Sequence, residues 1–261
     1  MPFVQTEELS VHYALTPLSG ANAPVVVLSN SLGTNFSMWG PQLPALEKQF
    51  RVLRYDTRGH GRTTVTPGPY TIELLARDVV RLLDALRLER AHFCGLSMGG
   101  MIGMWLGVHA PQRVTKLVLC NTAARIGTAE TWNARIEQVR NGGMKAIAAG
   151  VIERWFTPEF CARSPQTLAI TQKMIENSPP EGYMACCAAI RDMDQREAIS
   201  GIRVPTLVIA GGKDPAIPPA DGHFLAERIA GAQYAELPTA HLSNLEAPDQ
   251  FTAELIRFLT V

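Results

Sequence analysis

The stretch Ala91-His-Phe-Cys-Gly-Leu-Ser97-Met-Gly-Gly-Met101 decides the fold. Ala91–Cys94 reads as a strand and Met101 to His109 as a helix, with Gly95-Leu-Ser97-Met-Gly99 between them matching G-x-S-x-G. At average glycine and serine usage, roughly one random chain in ten of this length carries such a match, so its setting carries the reading. A serine on a sharp strand-to-helix turn leaves no room for side chains two residues to either side, which requires glycine there. The turn exposes Oγ and aims the N–H of Met98 at a developing oxyanion beside a helix N-terminus. The competing reading is an ordinary glycine-rich turn capped by serine.

Working outward, Val25–Ser29 is a continuous apolar run, the mark of a strand buried on both faces of a parallel sheet. Arg51–Tyr55 and Val114–Cys120 read the same way, Val204–Ala210 restores the sheet after the helical stretch, Gln233–Leu237 reads as the last strand, and residues around Val4 and Val11–Ala14 as an antiparallel hairpin at the edge. Ile72, Leu75, Val79, Leu82, Leu83 and Leu86 recur at three- and four-residue steps, one face of an amphipathic helix. Phe251 to Leu259 closes the chain as another. Strand–helix alternation implies an α/β fold with a mostly parallel central sheet flanked by helices. From about Ala123 to Ser200 the alternation stops and helix-like segments follow one another. The expected organisation is a core of residues 1–122 and 201–261 with a helical cap inserted at 123–200.

Basic and acidic side chains balance at 24 each, which argues against a nucleic-acid surface, since that needs a basic excess. The apolar runs are strand-sized, far short of the ~20 residues a bilayer span needs. The N-terminus shows no basic segment followed by an apolar core. Five cysteines without a CxxC pair indicate neither a zinc site nor a disulfide framework. A cytoplasmic protein is expected, and nothing in the sequence specifies an oligomeric state.

A serine hydroxyl needs a base to take its proton, and the base needs an orienting carboxylate; in this architecture they follow in the order Ser, acid, His. Of six histidines, His12 lies in the hairpin, His60 in a tight loop that it ties down, His92 on the strand before the turn and His109 at the end of its helix. His223 falls on a surface helix. His241, in Pro238-Thr-Ala-His-Leu-Ser just past the last strand, is the expected base. Asp214, in Gly211-Gly-Lys-Asp-Pro after the Val204–Ala210 strand, is the expected acid, whereas Asp192, Asp194 and Asp221 read as solvated. The second oxyanion donor should come from Asn30-Ser-Leu-Gly33, by position the N–H of Leu32, with that of Met98 as its pair. The competing reading there is a simple turn closed by Gly33.

With these placed, the chain resembles the α/β-hydrolases over essentially its whole length, and within them the 3-oxoadipate enol-lactonases of the β-ketoadipate pathway of aromatic catabolism. The carrying segments are Asn30-Ser-Leu-Gly-Thr-Asn, Tyr55-Asp-Thr-Arg-Gly-His-Gly and Gly95-Leu-Ser-Met-Gly-Gly-Met. More specific are Asn121 to Arg135, Arg154-Trp-Phe-Thr-Pro, Ala189-Ile-Arg-Asp-Met-Asp and Ala240-His-Leu-Ser-Asn-Leu-Glu-Ala-Pro. Asn30-Ser31 replaces the commoner His-Gly, so hydrogen bonding in that loop cannot be copied from a generic member. Some relatives carry a fused decarboxylase domain; this sequence ends at Val261 without one, which implies the lactonase activity alone.

The resemblance implies a small anionic lactone as substrate, opened through an acyl-enzyme on Ser97, with no metal or organic cofactor. Its acetate arm calls for a cation or several N–H donors. Trp132 and Arg135 lie three residues apart and share a helix face, and an indole N–H with a guanidinium suits a small carboxylate. Arg125 and Arg191 are alternatives. Competing functions on this scaffold are a general esterase, a perhydrolase and a carbon–carbon bond hydrolase; from another class, a lactone-binding receptor.

Overall fold

Strands covered on both faces lose the polar alternation of exposed ones, and the computed structural model, which describes residues 2–17 and 23–261, puts such strands at the middle of the sheet. The strands are β1 (Phe3–Gln5), β2 (Ser10–Leu15), β3 (Val25–Ser29), β4 (Arg51–Tyr55), β5 (Ala91–Leu96), β6 (Val114–Cys120), β7 (Thr206–Gly211) and β8 (Gln233–Leu237). They lie in the order β1-β2-β4-β3-β5-β6-β7-β8. β1 and β2 form the expected antiparallel hairpin, β2 joins β4 antiparallel, and every later pairing is parallel. Every residue of β3, β5 and β7 is buried, whereas edge strand β8 buries only Leu237 fully.

Among the helices are α1 (Leu43–Leu46), α2 (Ile72–Ala85) and α3 (Met98–His109), then five between β6 and β7. These are α4 (Ala129–Gly142), α5 (Lys145–Trp155), α6 (Pro158–Arg163), α7 (Pro165–Glu176) and α8 (Pro180–Asp192). After β7 come α9 (Pro219–Arg228), α10 (Ser243–Glu246) and α11 (Pro248–Thr260). α2 buries Ile72, Leu75, Val79, Leu82 and Leu83 of its expected stripe, while Leu86 caps its C-terminus half-buried, and Thr71 caps its N-terminus by accepting from the Leu74 N–H at 3.0 Å. α3 lies at the centre and is buried nearly all round. Among the described residues no helix is long and apolar enough to cross a membrane.

Among the boundaries that differ from the sequence reading, three have clear local reasons. β7 begins at Thr206 because Pro205 has no N–H to give a ladder; its carbonyl still accepts from Leu117 N–H at 2.9 Å. α3 begins at Met98, with Ser97 itself as the N-terminal cap, so no residues separate turn from helix. α11 begins at Pro248, whose missing N–H is tolerated in a first helical turn.

Among the buried polar atoms of the sheet left without a hydrogen-bond partner is Nδ1 of His92, on β5, whose ring meets that of Phe50 edge-on. Burial, aided by the charge of Lys116, pushes this imidazole down to about 4. Unfolded, it takes a proton near 6.5. Because the folded pKa is the lower one, the folded state loses stability as pH falls from about 6.5 to about 4, roughly 2 kcal/mol of it by pH 5. Urea unfolding at pH 7 and pH 5 should show this loss, and His92→Leu should lessen the difference between the two pH values by about that amount. An undiminished difference in the variant would mean the imidazole protonates freely in the fold.

Candidate active site

The turn between β5 and α3 holds Ser97 at φ 57, ψ −115, a left-handed conformation uncommon for a residue with a side chain. Bonds on both sides fix it. Ser97 N–H donates to Cys120 O at 2.9 Å, and its carbonyl accepts from Thr122 Oγ1 at 2.8 Å and from Met101 N–H at 3.1 Å. The flanking glycines are required by contact: a Cβ on Gly95 would stand 2.1 Å from Gly99 O, and one on Gly99 2.3 Å from Ser29 O. Met98 is the first residue of α3, so its N–H has no acceptor within the helix.

His241 follows β8 and Asp214 follows β7, and parallel pairing of these strands brings the two loops together. His241 Nδ1 lies 2.8 Å from Asp214 Oδ2, with both side chains almost wholly buried. Asp214 Oδ1 accepts from the N–H groups of Ala216 (2.8 Å) and Ile217 (2.9 Å), and Oδ2 from Asn121 Nδ2 at 3.1 Å. Burial raises the Asp214 carboxyl, but the charge and hydrogen bond of His241, with the Ile217 and Asn121 donors, outweigh it and hold it below its ordinary value. With its Nδ1 turned to a carboxylate, His241 can offer Nε2 as a base. Ser97 and His241 line the same cavity.

Leu32 lines that cavity too. Its loop is fixed from three directions: Asn30 Nδ2 donates to Tyr55 O (2.7 Å), Trp39 Nε1 donates to Asn30 Oδ1 (2.9 Å), and Gly33 N–H donates to His60 Nε2 (2.9 Å). Asn30 thus anchors the loop through both ends of its side-chain amide. His60 ties down more than its own turn: it is a buried acceptor for the loop of Leu32, and burial pushes it down to about 4, which keeps it neutral and able to accept. His223 is exposed and stacks on Tyr234. Asp221 is only half-exposed, and burial, with the nearby charge of Asp214, raises its carboxyl.

The cavity holds about 250 Å³, below the roughly 300 Å³ at which drug-sized pockets begin. Its outer wall comes from the helices between β6 and β7. Trp132 and Arg135 from α4 both line it, as their spacing implies, together with Arg154 and Trp155 from α5 and Tyr183 from α8. The indole N–H of Trp132 is not free for a ligand, however: it donates to Ile126 O at 2.9 Å, because the chain before α4 folds back over the ring. Trp132 contributes an apolar face. Arg135 Nη1 donates to Tyr183 Oη at 3.2 Å, and Arg154 Nε to Gly150 O at 3.3 Å. Neither guanidinium has a carboxylate partner among the described residues. Partial burial lowers Arg154 from its ordinary value, and the positive charge of Arg135 lowers it further. Arg125 and Arg191 pair instead with Asp194 and Asp192 and stand outside the cavity lining. Among the described residues no three His, Cys, Asp or Glu side chains converge on a metal-sized site.

The model of the alpha/beta hydrolase fold matches residues 24–150. The chain is 42% identical over 245 residues to 3-oxoadipate enol-lactonase 2 of Acinetobacter baylyi, covering 94% of this chain and 91% of that protein. A second enol-lactonase of that organism, 3-oxoadipate enol-lactonase 1, is also 42% identical, over 88% of this chain and 86% of its own. The crystal structure of the enol-lactonase from Burkholderia xenovorans LB400 superposes with a TM-score of 0.98 at 48% identity, covering both chains entirely. This chain belongs to the 3-oxoadipate enol-lactonase family of α/β hydrolases.

Against that family frame, three site residues stand out that the sequence reading missed. Arg154 sat inside a segment read only for its resemblance. Asn121, at φ 43 just past β6, donates through Nδ2 both to Asp214 Oδ2 and to Ala240 O (3.2 Å), joining acid and base loops; an asparagine at a strand end, where left-handed backbone is tolerated, was its signal. Glu246 is buried beneath the His241 loop. The turn itself gives a direct test. Gly95→Ala should destabilise the protein by about 2–3 kcal/mol through overpacking, lowering the melting temperature by roughly 5–10 °C and reducing activity of the folded fraction. An unchanged melting temperature would show that the turn has room.

Proposed function

We propose that this enol-lactonase family member hydrolyses 3-oxoadipate enol-lactone to 3-oxoadipate in the β-ketoadipate pathway, with Ser97, His241 and Asp214 as its triad. The observation that carries the reading is a small cavity lined both by Ser97 and His241 and by two arginines, Arg135 and Arg154, without carboxylate partners among the described residues. Such a lining suits a compact molecule that bears both an ester and a carboxylate. The core of residues 1–122 and 201–261 would supply the acyl-transfer machinery, and the cap of residues 123–200 the recognition of the anion. A cytoplasmic setting fits five free cysteines, the usual thiol state of reducing compartments.

In the proposed reaction His241 Nε2 takes the proton of Ser97 Oγ as that oxygen attacks the lactone carbonyl carbon. The oxyanion lies on the N–H groups of Met98 and Leu32. Collapse breaks the ring C–O bond and expels an enolate, a better leaving group than an alkoxide; it regains a proton and tautomerises to the ketone. Water, deprotonated by His241, then attacks the acyl-enzyme and releases the second carboxylate. Asp214 holds the imidazole and stabilises its protonated form throughout. Arg135, helped by Arg154, holds the acetate arm, with the face of Trp132 beside it.

Ultraviolet loss of freshly generated enol-lactone should be fast in the wild type and abolished in Ser97→Ala, and Asp214→Asn should lower kcat about 10⁴-fold. Arg135→Met should raise KM for the lactone about tenfold or more, the value of one charge-assisted hydrogen bond, and leave p-nitrophenyl acetate nearly unaffected. Slow lactone loss with brisk hydrolysis of the acetate ester would move the protein to the general esterases, and equal losses on both substrates would remove Arg135 as the anion's partner.

A further inference from the structure

Glu246 is a buried acid with no basic side chain paired to it among the described residues. Its hydrogen bonds are all accepted. Oε1 receives Thr157 Oγ1–H, and Oε2 receives the N–H groups of Ala240 at 3.0 Å and of Thr157 at 3.4 Å. Burying a carboxylate is costly unless hydrogen bonds compensate, and here three donors are turned onto it. Its placement therefore calls for a role in holding something still.

What it holds is on both sides of the site. Ala240 is the peptide neighbour of His241, and its own carbonyl accepts from Asn121. On the far side, Leu242 N–H donates to Trp155 O at 3.1 Å. Two of these three clamps on the His241 loop run to one short segment, Trp155 to Thr157, where α5 ends and α6 begins. Trp155, on the cavity wall, belongs to that segment, and Arg154, also on the wall, is the residue just before it; the Trp155 ring lies 6.2 Å from that of His241.

We propose that Glu246 is a positioning residue that sets His241 and the Arg154 wall of the cavity as one unit. The inference rests on the reading of His241 as base and of the arginines as the anion site. Freed from Glu246, the His241 loop shifts relative to Ser97, and the end of α5 shifts relative to the bound carboxylate. Misplacement by about an ångström costs up to ~100-fold in rate.

The test compares Glu246→Ala, Glu246→Gln and Thr157→Val by steady-state kinetics on the enol-lactone and on p-nitrophenyl acetate, with circular dichroism and melting temperature on each. Glu246→Ala should lower kcat roughly 10- to 100-fold on both substrates, while KM rises for the anionic lactone and stays level for the neutral ester. Glu246→Gln should recover most of the activity, since its amide oxygen can accept from Ala240 N–H while its NH₂ donates to Thr157 Oγ1. A lower melting temperature with kcat and KM unchanged per folded molecule would overturn the proposal, as would a Gln variant as impaired as Ala. If Glu246→Ala does not fold, Thr157→Val carries the test: a loss of kcat on both substrates with a raised lactone KM supports the coupling, and wild-type constants overturn it. Should the wild type ignore the lactone yet cleave the ester, the enol-lactonase reading fails while kcat on the ester still tests Glu246 as the support of His241.

Discussion

The backbone turn at Ser97 is the constraint on which the rest depends. A left-handed conformation at a residue with a side chain costs on the order of 1–3 kcal/mol, and here the cost is met by neighbours that leave the turn no alternative. Cys120 and Thr122, at the end of β6, grip the serine peptide. Asn30, at the end of β3, accepts the N–H of Gly99 at 3.1 Å, and the glycines bring α3 into contact with the sheet. The nucleophile is thereby referenced to the strands on both sides of β5. The loops that carry Leu32, Asn121, Asp214 and His241 leave the same edge of the same parallel sheet, so fixing the turn fixes their common origin.

Histidines in this fold show how environment divides one side chain into different tasks. His60 and His92 are buried without a carboxylate to receive from them, and both are held neutral. His60 turns that neutrality to use, because only an unprotonated Nε2 can accept the Gly33 N–H that shapes the Leu32 loop. His12 bonds to Asp56 at 2.7 Å, but in the hairpin and away from the cavity. His241 alone combines a carboxylate on Nδ1 with a place on the cavity wall.

The sheet, the serine turn and the pairing of Asp214 with His241 were legible because each leaves a local mark. Double-sided burial gives unbroken apolar runs such as Val25–Ser29, close approach leaves glycine at 95 and 99, and strand-end loops announce themselves by composition. The cavity wall was legible only in part. Three-residue spacing correctly put Trp132 and Arg135 on one face of α4, yet spacing says nothing of the chain before the helix, and Ile126 folds back to occupy the indole N–H. Arg154 and Glu246 were hidden for the same reason. Their meaning lies in which segment packs against which, here the end of α5 against the loop after β8, and separations of nearly ninety residues leave no periodic trace. Where Pro205 shortened β7, the signal was present and the reading overran it.

The two arginines of the cavity wall have a consequence beyond recognition. Arg135 and Arg154 line the same cavity without a carboxylate partner among the described residues, and the charge of Arg135 adds to burial in lowering Arg154, so the unliganded pocket carries positive charge that these residues leave unbalanced. Any small anion entering it completes a charge balance that the fold itself leaves open, whether or not that anion can react. If these arginines hold the lactone's carboxylate as proposed, chloride, phosphate or acetate in the medium would compete with it for the same ground, and so would the dicarboxylate released by hydrolysis. Apparent affinity for substrate would then depend on the surrounding salt as much as on the protein's own side chains, and accumulating product would act back on the pocket that made it.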